Sequence, residues 1–291
     1  MRVGVIGVGI MGGAMASNLV AAGHEVTGYD VDATRLTEMA GIGLAPAATV
    51  AEVASSSEVV ILSLPSPVAL RDVSEALAVT GASDLIAVET GTLPLADKIA
   101  ARDLLATADI ELLDVPLSGT GLQARDATLV VFASGSREGF ERVEPIFEAI
   151  GRSTHYLGEF GNGSRMKYIA NLLVAVHSLA AAEAHALGIA AGMPPDLVQR
   201  VMEDGVGSSK MFEIRGPMMV ADEYPAAARL DIILKDARLI AEFARSVGAP
   251  TPLLDAATTV YTEASASGLG DLDAAALLRH LEQIAGLTRD R

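Results

Sequence analysis

Along the first 158 residues the apolar positions fall into short runs rich in Val, Ile and Leu, at 3–6, 26–29, 59–64, 85–88, 110–113 and 129–133, separated by stretches of helical periodicity. Alternation of this kind predicts a parallel sheet covered by helices on both faces, a doubly wound α/β domain. Beyond Gly161 the strand-like runs stop, and the rest reads as helices over 163–191, 194–204, 209–219, 226–247, 251–266 and 273–286. The Gly-rich stretch from Gly158 to Gly163 marks the expected boundary. It divides the chain into an α/β domain over 1–160 and an all-α domain over 161–291, joined by the long interdomain helix at 163–191.

Two apolar segments invite other readings. Residues 1–23 have the hydrophobicity of an export signal, but Gly4, Gly7, Gly9, Gly12 and Gly13 are badly placed in a helical signal core, whereas a strand–turn–helix uses most of them. Residues 168–193 are long and rich in Ala and Leu. Asn171, His177, Glu183 and His185 interrupt them before the run of about 18 clean apolar residues that a membrane span requires. A helix buried in protein is expected there, and no membrane partner.

The turn after the first run is Gly7-Val8-Gly9-Ile10-Met11-Gly12, a GxGxxG that opens a helical pattern over 13–22. In that setting the first glycine makes the tight turn, the second lets backbone approach a pyrophosphate, and the third packs helix closely on strand. N–H groups at the helix start, around Ile10, Met11 and Gly12, then hold the anion. This is the fingerprint of a Rossmann domain. Asp30 follows Gly12 by eighteen residues, at the end of the second strand (24–29), where a carboxylate accepts hydrogen bonds from ribose hydroxyls and repels a 2′-phosphate. NAD is the expected cofactor. NADP stays open, because Arg35 could swing toward a phosphate, and Asp30 could instead serve only as the N-cap of the next helix.

With 51% hydrophobic and 20% charged residues, the chain has the composition of a packed globular protein. Its 21 Lys and Arg against 37 Asp and Glu give a net charge of −16, which argues against nucleic acid and anionic membrane as partners. The absence of cysteine excludes disulfides, thiolate nucleophiles and Cys-based zinc sites, and fits a cytoplasmic location. The five histidines form no compact ligand set; His177 and His185 fall two turns apart on one predicted helix, so no metal is expected.

Four segments in order carry a more specific likeness: Gly7-Val-Gly-Ile-Met-Gly-Gly-Ala-Met-Ala-Ser-Asn-Leu19, Asp114-Val-Pro-Leu-Ser-Gly119, Gly161-Asn-Gly-Ser-Arg-Met-Lys-Tyr-Ile-Ala-Asn171, and Lys235-Asp236. Together they resemble the β-hydroxyacid dehydrogenase family, whose members include 3-hydroxyisobutyrate dehydrogenase, tartronate semialdehyde reductase and 6-phosphogluconate dehydrogenase, over nearly the whole chain. The resemblance implies that Ser118 and Gly119 bind the substrate carboxylate, that Lys167 is the catalytic acid/base and that Asn171 orients substrate. It also implies that Lys235 lies against the cofactor, that Leu64, Pro65 and Thr92 line the nicotinamide side, and that the protein is a homodimer or homotetramer. Thr120, Gln123 and Ala127 depart from the family, standing where relatives have glycines, which removes left-handed backbone options. Thr120 and Gln123 are therefore expected as added substrate contacts. Ala170 replaces a family asparagine, while Asn171 is retained.

The chemistry agrees with that pattern. Lys167 and Asn171 are four apart on one predicted helix and project from one face. Hydride transfer at a carbinol carbon requires a group that takes or gives the hydroxyl proton, and a lysine shielded from water can be tuned for it. The expected function is an NAD-dependent oxidoreductase moving hydride between nicotinamide and a small 3-hydroxy acid or its semialdehyde. Three competitors stay in view: an imine reductase of the same architecture, against which Lys167 stands; an oxidative decarboxylase like 6-phosphogluconate dehydrogenase, for which the chain is short; and a catalytically silent NAD-binding regulator, which turnover would distinguish.

Overall fold

The structure, a computed structural model, describes residues 1–288 and divides into two compact units, Met1–Lys167 and the chain from Tyr168 onward. The first unit begins with β1 (Arg2–Ile6), α1 (Ile10–Ala21), β2 (Glu25–Tyr29), α2 (Ala33–Ala40), β3 (Ala45–Pro46) and α3 (Val50–Ser56). It continues through β4 (Val59–Leu62), α4 (Pro67–Ala78), β5 (Ile86–Glu89), α5 (Leu95–Ala106) and β6 (Glu111–Asp114). These six strands form one parallel sheet in the order β3-β2-β1-β4-β5-β6. The period-2 alternation of strand side chains feeds two cores. Val3, Val5, Val59 and Ile61 pack on one face with Met15, Leu19 and Phe147; Ile6, Val60 and Leu62 pack on the other with Leu70, Leu77 and Leu105. Because strand order reverses between β1 and β4, their carboxyl ends splay apart and leave the crevice where such sheets bind ligands.

The chain then builds β7 (Leu117–Ser118), α6 (Gly121–Arg125), β8 (Leu129–Ala133), α7 (Arg137–Ile150) and β9 (Gly151–Tyr156). Here the structure corrects the sequence reading. The run at 129–133 belongs not to the parallel sheet but to a second, three-stranded one, β7-β8-β9, with β7 antiparallel to β8. Ser118 accordingly sits in β7 of this second sheet, beyond the preceding strand of the large sheet, which stops at Asp114. The sixth strand of the large sheet is instead β3, two residues long and invisible to periodicity. Helix α1 starts at Ile10 rather than at residue 13, so Gly12 and Gly13 lie inside it.

From the first unit into the second runs α8 (Asn162–Ala190), followed by α9 (Pro195–Glu203), α10 (Lys210–Ala221), α11 (Leu230–Ser246) and α12 (Pro252–Ala264). A π-helical turn (Ser265–Leu269), a 3₁₀ turn (Ala274–Ala276) and α13 (Leu277–Ala285) complete it. The helix expected over 226–247 begins only at Leu230, and that expected over 273–286 opens as the 3₁₀ turn, capped by Asp273 through the Ala275 N–H. The core gathers Tyr168, Phe212, Leu230, Leu254, Tyr261 and Leu277 around buried Arg215, which is paired with Asp273 at 3.1 Å and bonded to Ser178 at 2.7 Å. Helix α8 is long and apolar enough to cross a membrane, yet its Ala175, Ala181 and Ala182 belong to this core.

The loop with missing family glycines keeps one left-handed residue: Ala127 adopts φ +51° despite its Cβ. A non-glycine residue in that region costs about 1–2 kcal/mol, part of which glycine would return through its greater freedom in the unfolded chain. Ala127→Gly is therefore expected to stabilise the protein by about 0.5–1 kcal/mol, seen as a higher urea midpoint at unchanged slope; a lower midpoint would contradict the strain.

Candidate functional site

Where β1 ends, Gly7 turns with φ +89° and donates its N–H to the Tyr29 carbonyl at 2.8 Å. A Cβ on Gly7 would lie 2.3 Å from the Ser63 carbonyl oxygen, and one on Gly12 only 1.8 Å from that of Gly7. Both positions are closed to any side chain, which brings helix and strand into direct contact. Gly9 is different: a Cβ there would meet only the Arg35 guanidinium, 3.1 Å away, so its backbone is open to an approaching group. Gly9 is also the N-cap of α1, with no side-chain cap and no acidic residue in the first turn, whereas Asp32, Thr49, Ser66 and Ser136 cap α2, α3, α4 and α7. The N–H groups of Ile10, Met11 and Gly12 precede the first intrahelical bond, from Gly13 to Gly9, and are oriented as donors to an anion. This cradle fits a dinucleotide pyrophosphate.

Asp30 is buried at the end of β2. Its Oδ2 accepts the Val8 N–H at 2.8 Å and its Oδ1 the Asp32 N–H at 2.9 Å, so the carboxylate braces the glycine turn. It is not the N-cap of α2; Asp32 is, accepting the Thr34 N–H. Arg35 lies 3.8 Å from Asp30 and 3.4 Å from Asp32, facing two carboxylates. Beside this corner, the Ser63 N–H joins the Ile6 carbonyl, and the Thr90 hydroxyl donates to the Leu62 carbonyl at 2.8 Å. A Cβ on Gly91 would be 3.3 Å from the Leu64 carbonyl, so Leu64, Pro65 and the 90–92 loop carrying Thr92 adjoin at the carboxyl ends of β4 and β5.

After β7, Gly119 takes φ +144°, and a Cβ on it would lie 2.7 Å from Leu129 and 3.1 Å from Gln123. Thr120 and Gln123, expected as substrate contacts, are engaged with each other. Thr120 is the N-cap of α6, and Gln123 Oε1 accepts both the Thr120 N–H, at 2.8 Å, and its hydroxyl, a closed capping box. Helix α6 is fastened to α1, for Asn18 Nδ2 donates to the Ala124 carbonyl at 2.7 Å and Gly121 packs on Ile10. Asn18 thus ties the segment after Ser118 and Gly119 to the nucleotide helix, a role the sequence reading missed.

Lys167, 8 % exposed, lies in the second turn of α8. The start of that helix is held from below. The Gly163 N–H donates to Ser134 Oγ at 2.9 Å, the Ser164 N–H to Asp114 Oδ2 at 2.8 Å, and the Ser164 hydroxyl to Asp114 Oδ1 at 2.7 Å. Asp114 in turn meets the fully buried Lys98, whose Nζ lies 2.9 Å from Asp114 Oδ1, 2.7 Å from the Gly91 carbonyl and 2.5 Å from Glu89 Oε2. Burial pushes Glu89 above the ordinary carboxylate range; burial works against the Lys98 charge, but Glu89 and Asp114 together hold its ammonium above the usual lysine value. In the second unit, Asp236 gathers two expected residues: Asn171 Nδ2 donates to its Oδ2 at 2.8 Å, and Lys235 Nζ stands 3.1 Å from its Oδ1. His185 is buried and stacks on Phe212.

Comparison with known proteins agrees with these features along the whole chain. Residues 2–158 match the family model for the NAD binding domain of 6-phosphogluconate dehydrogenase, and residues 161–281 that for the NAD-binding of NADP-dependent 3-hydroxyisobutyrate dehydrogenase. The chain is 33% identical to L-threonate dehydrogenase of Escherichia coli K12, covering 96% of this chain and 94% of the relative. It is 30% identical to the chloroplastic glyoxylate/succinic semialdehyde reductase 2 of Arabidopsis thaliana, over 97% of this chain and 80% of that one. The crystal structure of 3-hydroxyisobutyrate dehydrogenase from Salmonella typhimurium superposes with a TM-score of 0.87 at 30% identity, covering 96% and 99% of the two chains. With a nucleotide cradle at its sheet switch point and both halves matched in order, the chain belongs to the β-hydroxyacid dehydrogenase family of NAD(P)-dependent oxidoreductases.

Proposed function

We propose that this enzyme moves hydride between NAD(H) and the carbinol carbon of a small 3-hydroxy acid or its semialdehyde, with Lys167 handling the hydroxyl proton. The observation that carries the reading is a buried lysine, Lys167, in the second turn of a helix whose start is fixed within the nucleotide-binding unit by Asp114 and Ser134. NAD, when bound, supplies the hydride acceptor at nicotinamide C4. Gly7, Gly9, Ile10, Met11 and Gly12 hold its pyrophosphate, Asp30 its ribose, and Leu64, Pro65 and Thr92 its nicotinamide side, while Lys235 lies against it. Ser118 and Gly119 bind the substrate carboxylate through a hydroxyl and backbone N–H groups, and Thr120 and Gln123 shape that loop through their capping box. Asn171, its amide oriented by Asp236, positions the substrate. In oxidation the neutral Lys167 amine takes the hydroxyl proton, and in reduction the ammonium returns it.

The preference for NAD over NADP rests on the charge at the end of β2. A 2′-phosphate placed there meets Asp30 and Asp32, and the nearby cation, Arg35, already faces both carboxylates. Residues 1–160 serve the cofactor; the helical remainder orients substrate and assembles the protein into a homodimer or homotetramer.

The test is turnover in parallel with NADH and NADPH on glyoxylate and succinic semialdehyde, and with NAD and NADP on L-threonate and 3-hydroxyisobutyrate. The expected result is activity with at least one, and a kcat/KM for NADH at least about tenfold above that for NADPH, the discrimination that about 1.4 kcal/mol of phosphate repulsion supplies. NADPH preference would refute the role of Asp30, and silence across the panel with tight NADH binding would favour a regulatory protein.

A further inference from the structure

We propose that Asp114, Lys98, Glu89 and Ser164 form a buried positioning relay that sets Lys167 and the nicotinamide-side loop in register with each other. The inference rests on the proposed role of Lys167 and goes beyond it, since none of these four residues touches substrate or cofactor in that reading. Two facts carry it. First, the Lys98 ammonium meets three elements at once: it hydrogen-bonds the Gly91 carbonyl in the 90–92 loop and Asp114 at the end of β6, and forms an ion pair with Glu89 at the end of β5. Second, Asp114 uses both carboxylate oxygens on Ser164, three residues before Lys167 and less than one helical turn away.

The fit admits little slack. A Cβ on Gly163 would lie 2.5 Å from the Phe132 carbonyl and 2.6 Å from that of Asp114, so the start of α8 sits directly on the ends of β6 and β8. Lys98, Glu89 and Asp114 are completely buried, and Ser164 is 2 % exposed. A single ammonium therefore fixes both the loop bearing Thr92 and, through Asp114, the turn leading to Lys167. Charge-assisted bonds in a dry interior are short and directional, which suits a group whose task is placement. An acid/base residue displaced by about an ångström loses most of its contribution to rate. The relay is thus expected to act on turnover and not on nucleotide affinity, because the glycine cradle and Asp30 make no bond to it.

The experiment compares Asp114→Asn and Ser164→Ala with the wild-type full-length protein. Measured are NADH affinity by fluorescence, kcat on the fastest substrate of the panel, and the rate at which acetic anhydride labels Lys167 relative to the exposed Lys210, read by mass spectrometry. The relay predicts NADH affinity within about twofold of wild type, kcat lower by about 10- to 100-fold, and faster labelling of Lys167 as its turn loosens. Wild-type kcat and labelling in both variants would overturn it, and so would a loss of NADH affinity in step with kcat, which marks a general structural role. Should Asp114→Asn fail to fold, Ser164→Ala decides alone, since it removes one hydroxyl and leaves the charged cluster intact. If the wild-type protein turns over nothing in the panel, the proposed reaction falls, while the labelling comparison still decides whether the relay positions Lys167.

Discussion

Replacing Lys167 with alanine is expected to lower kcat by about 10²- to 10⁴-fold while NADH binds within about twofold of wild type, the range over which a positioned acid/base group contributes. The separation of the two effects follows from where the groups lie. The proposed cofactor cradle is backbone at Gly7 to Gly12 together with Asp30, around β1, α1 and β2, whereas Lys167 stands on α8, reached through β6. A truncated lysine leaves the cradle whole and removes the proposed proton acceptor. Lys167→Arg should recover little, because a guanidinium stays charged across the working pH range and cannot take the proton. Steady-state kinetics beside a fluorescence titration with NADH separate the outcomes; unchanged kcat in the alanine variant would remove Lys167 from the mechanism.

The largest stability effect is expected from Lys98→Met. It leaves Glu89 and Asp114 buried without their cation, and breaking a buried pair by removing one partner costs about 3–5 kcal/mol. The sign of its pH dependence follows from linkage. Without Lys98, which works against the effect of burial on Glu89, burial holds that carboxyl still further above its unfolded value, so the folded state binds more protons than the unfolded one and stability falls as pH rises through the shifted range. In the wild type Lys98 itself contributes nothing to a slope between pH 5 and 8. Its folded value lies above its ordinary one, so its contribution is complete below the ordinary lysine value and fades only as pH rises past it toward the folded value. Glu89, raised by burial, leaves the wild type a weaker form of the same acid-side slope. Urea unfolding at about pH 5.5 and pH 8 should therefore show the variant's deficit growing with pH. A deficit under about 1 kcal/mol, or one equal at both pH values, would contradict the account.

What the sequence disclosed and what it hid have physical causes. The glycine turn was legible because Gly7 and Gly12 answer steric demands that no other residue meets: Gly12 cannot carry a Cβ beside the Gly7 carbonyl, and Gly7 needs its positive φ. Asp30 was legible from its place at a strand end, although its work as a brace for Val8 was not. Helix α8 declared itself by length. Strands β3 and β7, two residues each, carry too few positions for a period to appear, and this is why the second sheet that holds Ser118 was not legible. Helix α6 did have a signal, the Thr120-x-x-Gln123 spacing of a capping box, at two positions that also stand where relatives have glycines. Lys98 was hidden for a deeper reason. A lysine in an amphipathic helix reads as solvent-facing, and its acceptors Glu89 and Asp114 lie on separate strands that only the sheet brings together.

The central claim is that this chain passes hydride between nicotinamide and a hydroxy acid, with its own lysine managing the proton. The most direct test incubates the protein with NADH deuterated at C4 and the hydride acceptors of the panel, glyoxylate and succinic semialdehyde, and locates the label in the product by NMR. The account predicts deuterium on the carbinol carbon of at least one product, with the label arriving far more slowly in Lys167→Ala. Tight cofactor binding with no deuterium transferred to any acceptor would contradict it.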